Sequence, residues 1–131
     1  MKKLIFLISI AFFCSCKVTF TPKQSQAAID QINKILTDGT NIFTSSDLTY
    51  VGNETEFANV GNEISDLMVI DLPRKKDILV TTDQSLLNGF IEISNDYKTL
   101  GTIPATVEAN YNSRFKSYVH ARQIMETNLS K

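Results

Sequence analysis

The sequence predicts an all-α fold, an antiparallel up-and-down four-helix bundle, and three observations carry that expectation. Apolar residues recur at steps of three and four along four separate stretches. Residues that start or stop helices bound each stretch. The breaks between stretches are only a few residues long, which forces successive helices to run antiparallel.

The first helix is expected from Thr21-Pro22-Lys23-Gln24, with Thr21 as N-cap, Pro22 at the first helical position and Gln24 closing a capping box. Its stripe is Ile29, Ile32 and Leu36, extending past Gly39 to Phe43, and Asp38-Gly39 is a place where it would end or bend. Thr44-Ser45-Ser46-Asp47 is dense in capping residues and sets the start of a second helix at Asp47, running to Ile70. That stripe is Tyr50, Phe57, Val60, Ile64 and Leu67, with Met68 beside it. Gly52 and Gly61 fall inside the second helix, where each costs about 1 kcal/mol against alanine. Either another backbone comes close at these positions or the helix tolerates them, and both readings stand.

Pro73 closes the second helix, because the residue before a proline is pushed out of helical geometry. The third helix follows, from Pro73 itself to Leu100, with the stripe Leu79, Thr82 or Asp83, Leu86, Phe90, Ile93, Tyr97 and Leu100. Gly101 then stands where a left-handed C-cap is expected. The β-branched residues in Asp77–Thr82 also admit a short strand. The fourth helix opens at Thr102-Ile103-Pro104 with Pro104 near its first position, and Glu108 in its first turn complements the helix dipole. Its stripe is Val107, Tyr111, Phe115, Tyr118, Arg122, Met125 and Leu129. In an up-and-down bundle, residue 21, the 71–76 turn and the C-terminus share one end. The 44–47 and 101–104 loops share the other.

A short export-type leader precedes the bundle. Lys2 and Lys3 form a basic start, and Leu4 to Phe13 is an apolar run of ten residues with one serine. At 1.5 Å per residue that run spans roughly 15 Å, half of a ~30 Å hydrocarbon core, which suits a signal peptide and not a membrane span. It ends in Phe13-Cys14-Ser15-Cys16. This pattern resembles the signal of bacterial lipoproteins, in which a small residue precedes a cysteine that takes a diacylglycerol and becomes the new N-terminus. The resemblance covers residues 1–16 and departs from the usual pattern at Phe13, where leucine is common. It implies lipidation of Cys16 and a cell-envelope location. Lys17, which is not acidic, further implies the outer membrane, periplasmic face. The expected organisation is then a signal peptide over 1–15, a lipidated cysteine and short tether over 16–20, and a bundle over 21–131. Lys17-Val18-Thr19-Phe20 reaches only roughly 14 Å when extended, so the domain would sit close to the membrane.

Composition narrows the functional classes. Loss of the leader leaves 116 of the 131 residues and removes two lysines, moving the formal charge from −1 to −3. That argues against a nucleic-acid binder, which needs a basic face. Both cysteines lie at or before Cys16, so the domain has no disulfide, and a single histidine with no calcium-type loop points to no metal or cofactor. His120 lacks the partner and orienting group that catalysis would require. Glu54, Glu56, Glu63 and Asp66 on the second helix, and Asp83, Glu92 and Asp96 on the third, read as solvated faces. Arg74-Lys75-Lys76 is the one basic run, placed at the membrane end, where it would contact anionic headgroups. The aromatic stripes read as core.

The function expected is therefore non-enzymatic: a lipid-anchored helical module that docks a protein partner near the membrane. A small-ligand or lipid-binding lipoprotein would instead need an apolar cavity in the bundle. An immunity or exclusion lipoprotein would differ from the first reading only in its partner.

Overall fold

The computed structural model describes residues 23–129. Four helices, α1 (Gln26–Phe43), α2 (Glu54–Asp71), α3 (Asp77–Leu100) and α4 (Ala105–Asn128), form an up-down-up-down bundle in which each packs on the next and α4 returns to α1. The strand alternative over 77–82 is overturned, because that segment is the first turn and a half of α3. Three helix starts lie later in the chain than expected. Thr21 and Pro22 fall outside the described residues, and the cap of α1 is Ser25, whose Oγ accepts the Ala28 amide at 3.3 Å. α1 runs through Gly39 without ending there. Pro73 sits in a 3-10 turn, Leu72–Arg74, and α3 begins only at Asp77.

The largest displacement is at α2, which begins at Glu54 and not at Asp47. Asp47 closes a local turn instead. Its carboxylate accepts the Thr49 amide at 2.9 Å and the Thr49 hydroxyl at 2.7 Å. Buried Asn53 donates to the carbonyls of Asp47 and Thr49 at 2.7 and 2.9 Å. These short polar side chains satisfy loop backbone that a helix would otherwise satisfy, the competition that makes them poor helix-interior residues. A 3-10 turn, Val51–Asn53, then leads into α2. Gly101 ends α3 at φ 73°, where a side chain would be strained, and its amide donates to the Tyr97 carbonyl at 3.0 Å.

The core is aromatic toward the 44–53 loop. Phe43, Phe57, Phe90, Tyr97 and Phe115 are buried with ring centroids 5.0–6.4 Å apart, in tilted and edge-on arrangements. The close helix approaches fall at glycines other than those the sequence singled out. A Cβ on Gly39 would stand 2.2 Å from the Phe115 ring, and one on Gly89 would stand 2.5 Å from the Tyr118 ring. Gly61 has only ordinary van der Waals distance to Phe90, at 4.0 Å, and Gly52 lies outside α2, against Asp47. Each of the two tight glycines makes room for an aromatic ring of α4.

Candidate functional site

At the end of the bundle where residue 23 enters, the inner stripes change chemistry without changing spacing. In α2 the buried series is Phe57, Val60, Ile64, Leu67 and then Asp71. In α3 it begins Leu79, Asp83, Leu86. In α4 it ends Phe115, Val119, Arg122, Glu126. Three helices thus deliver a layer of charge into positions that elsewhere carry apolar groups.

Arg122 stands at the centre with no solvent exposure. Its Nε donates to Asp83 at 2.7 Å, its Nη1 to Glu126 at 3.0 Å, and its Nη2 to Asp71. Arg74 reaches in from the 3-10 turn and donates to Asp71 at 2.7 Å and to both oxygens of Glu126 at 2.7 and 2.8 Å. Its Nη2 also donates to the Lys23 carbonyl at 3.0 Å, and the Ser25 amide donates to Glu126 at 2.7 Å. The layer therefore clasps four parts of the chain at one point: the entry before α1, the end of α2 with its turn, the start of α3 and the end of α4.

The charges do not balance. Three carboxylates face two guanidiniums, and Asp83 has one oxygen, Oδ2, without a hydrogen-bond partner. Burial pushes the Asp83 carboxyl up to about 7, opposed by Arg122 and reinforced by Asp71 beside it. A proton on Asp83 makes the layer neutral. Glu126 behaves oppositely: burial works against its charge, but hydrogen bonds from Arg74, Ser25 and Arg122 outweigh it and hold the carboxyl below the usual range. A buried guanidinium saturated in this way stays charged and positions helices. It has no face open to a substrate.

The layer reassigns several residues. Asp83 and Glu63 are buried, and Glu63 pairs with Lys34 at 2.9 Å, so neither belongs to a solvated face. Glu54, Glu56, Asp66 and Glu92 are exposed, while Asp96 is half-buried and accepts the Tyr111 hydroxyl at 3.0 Å. Within the basic run, Arg74 turns inward, whereas Lys75 and Lys76 are exposed. Cys16 lies outside the described residues. Glu126, one position beyond the Met125 of the expected stripe, and Asp71, one position beyond the expected end of the second helix at Ile70, are the residues buried here. The available signal was a step of four from Leu67 to Asp71 and from Arg122 to Glu126.

His120 is exposed on α4, in an open groove beside α1 that Asn33, Gln123 and Ile124 also line. Among the described residues no helix is long and apolar enough to cross a membrane.

Fold and site together define a small up-and-down helical bundle closed at its base by a buried ionic layer. No family model, curated protein or solved structure matches the chain.

Proposed function

We propose that this protein is a non-enzymatic, lipid-anchored interaction module of the bacterial cell envelope, held through Cys16 at the periplasmic face of the outer membrane, that docks a protein partner on the end of the bundle away from the anchor. One observation carries the reading: that far end is a cap of two hydrogen-bonded loops displaying apolar side chains. Its two loops are tied by hydrogen bonds from the Ile103 amide to the Leu48 carbonyl at 3.0 Å and from the Tyr50 amide to the Gly101 carbonyl at 3.4 Å. On this cap Val51 is 83% exposed and Leu100 55%. Asp47, Glu54 and Glu56 are also exposed at this end, so the partner surface that fits is apolar with a basic rim. No cysteine falls among the described residues, and the aromatic core and the ionic layer hold the ends in place.

A photo-crosslinking residue at Val51 or Leu100 in intact cells tests this. Discrete adducts to one protein are expected from both positions and none from Ser65, on the exposed face of α2. Val51→Asp combined with Leu100→Asp should remove them. No adduct from either cap position, or equal adducts from Ser65, would sink the proposal.

A further inference from the structure

The turn between α2 and α3 carries apolar and basic side chains together, on the surface directly over the ionic layer. Leu72 is 62% exposed and Ile78 is 48% exposed, and Pro73 between them is exposed as well. Lys75 and Lys76 are exposed between the two aliphatic residues. Lys75 is the one described non-glycine residue with a positive φ, at 51°. That backbone is uncommon for a side-chain-bearing residue and persists where surrounding structure imposes it. Here the Arg74 side chain, drawn inward to Asp71 and Glu126, fixes the turn from below.

We infer that this turn is a membrane seat: Leu72 and Ile78 enter the interfacial layer of an anionic bilayer, and the ammonium groups of Lys75 and Lys76 meet its phosphates. The inference rests on the reading of Cys16 as a lipidated residue. The occupant follows from reach and from charge. Seven residues lead from Cys16 to Lys23, at most roughly 25 Å of extended chain. Arg74 bonds the Lys23 carbonyl at 3.0 Å, so the turn and the chain entry are one place. The cap lies the length of α3 away, 24 residues or about 36 Å. The base is therefore the end nearest the anchor.

Charge sorts the same way. Lys23, Lys75 and Lys76 are exposed at the base against Asp77, because Arg74 and Glu126 neutralise each other inside. The cap exposes Asp47, Glu54 and Glu56, and Lys98 there lies over the Tyr50 ring at 4.9 Å. An anionic surface attracts the first end and repels the second. Aliphatic side chains interleaved with lysine are what an interfacial contact requires, the apolar part entering the headgroup–acyl boundary and the charge remaining at the phosphates.

The chain contains no tryptophan, so one introduced residue reports alone. The mature lipidated protein carrying Leu72→Trp, Ile78→Trp or Val51→Trp is added to vesicles of phosphatidylethanolamine and phosphatidylglycerol, with and without bromine on the acyl chains. Flotation shows whether the protein is anchored. The seat predicts blue-shifted emission quenched by brominated lipid for Trp at 72 and 78, and no quenching at 51. Lys75→Glu with Lys76→Glu should lose the quenching at 72 while the protein still floats. A protein that floats with no quenching at 72 and 78, or with equal quenching at 51, overturns the seat and leaves the anchor standing. A protein that does not float overturns both.

Discussion

The two ends of this bundle are closed by opposite chemistry on the same helical spacing. The cap is closed by aromatic rings and by loop-to-loop backbone bonds, with Tyr97 and Phe57 in contact at 5.0 Å between ring centroids. The base is closed by Arg122, Asp71, Asp83, Glu126 and Arg74. Apolar packing is tolerant of pH and indifferent to the identity of its neighbours. A buried ionic layer is neither: each member must find its partner, and removal of one leaves the others charged in a dry place. The lesson is that stripe position predicts burial, while the residue at that position decides how specific the closure is. The base also ties the chain entry to the α2–α3 turn, which apolar contact alone would do less selectively.

The sharpest way to break the comparison is to truncate one member at each end. Arg122→Ala should cost about 3–5 kcal/mol near neutral pH, because it strands Asp83, the one carboxylate of the layer that Arg74 does not reach. Phe115→Ala should cost a similar amount, about 3–5 kcal/mol, through lost burial and a cavity. The two separate on acidification. The Arg122→Ala deficit should shrink as the stranded Asp83 takes up a proton, while the Phe115→Ala deficit should stay constant across the same urea melts. Equal pH dependence in the two variants would erase the distinction.

Alanine at the glycines ranks next. Gly39→Ala drives a methyl into the Phe115 ring, which is wholly buried, and should cost about 1–3 kcal/mol despite alanine's better helix propensity. Gly89→Ala should cost less, since Tyr118 is only half-buried and its ring can swing outward. Gly61→Ala meets nothing closer than 4.0 Å and should stabilise by up to about 1 kcal/mol. Thermal melts that reverse this order would show that the rings relocate freely.

Much of this was legible in the sequence. Four helices, the breaks between them, the Gly101 cap and most of the aromatic core follow from period and punctuation. The ionic layer was half legible. Arg122 and Asp83 fell on their stripes, but a charged residue on a stripe is read as its edge until the partner is seen, and the partners here lie 39 and 51 positions away in the chain. The start of α2 was misplaced because Asp47 and Ser46 are as good at turning a loop as at capping a helix. Which glycines are tight was not legible, since crowding depends on rings contributed by α4. The role of Arg74 was hidden by its neighbours, because three basic residues in a row look alike until one of them turns inward.

A smaller effect follows from the excess carboxylate. The Asp83 carboxyl sits up at about 7 in the folded protein, against an ordinary value of 3.8. The folded state therefore binds the proton more tightly than the unfolded chain. This group's contribution to stability is fully present below pH 3.8 and is lost as pH rises through about 7. Asp83→Asn keeps an oxygen for the Arg122 Nε and removes the titration. It should change stability by on the order of 1 kcal/mol at pH 8 and flatten the slope between about pH 4 and 7. The depressed carboxyl of Glu126 acts in the other sense, losing its contribution as pH falls below the ordinary carboxylate range. A slope between pH 4 and 7 that persists in Asp83→Asn would place the titrating group elsewhere.

The aromatic core of the cap should show its titration in alkali. Tyr97 is wholly buried, its hydroxyl has no hydrogen-bond partner, and burial, with Glu108 and Tyr111 nearby, pushes it up to about 12. Ionising it would put a charge into the aromatic core. The folded pKa lies above the ordinary value of 10, so stability from this group is present below pH 10 and is lost as pH rises towards 12. Tyr97→Phe removes a buried hydroxyl that satisfies nothing and retains the ring that packs on Phe43 and Phe57. The change should be neutral or stabilising by less than about 1 kcal/mol at pH 7. It should also reduce the loss of stability between about pH 10 and 12 while leaving the slope between pH 4 and 7 intact. Together with Asp83→Asn it separates an alkaline contribution of the aromatic core from an acid-side contribution of the ionic layer. If Tyr97→Phe instead moved the acid arm, the two ends would be coupled through the core, and the contrast between an ionic base and an aromatic cap would no longer describe two independent closures.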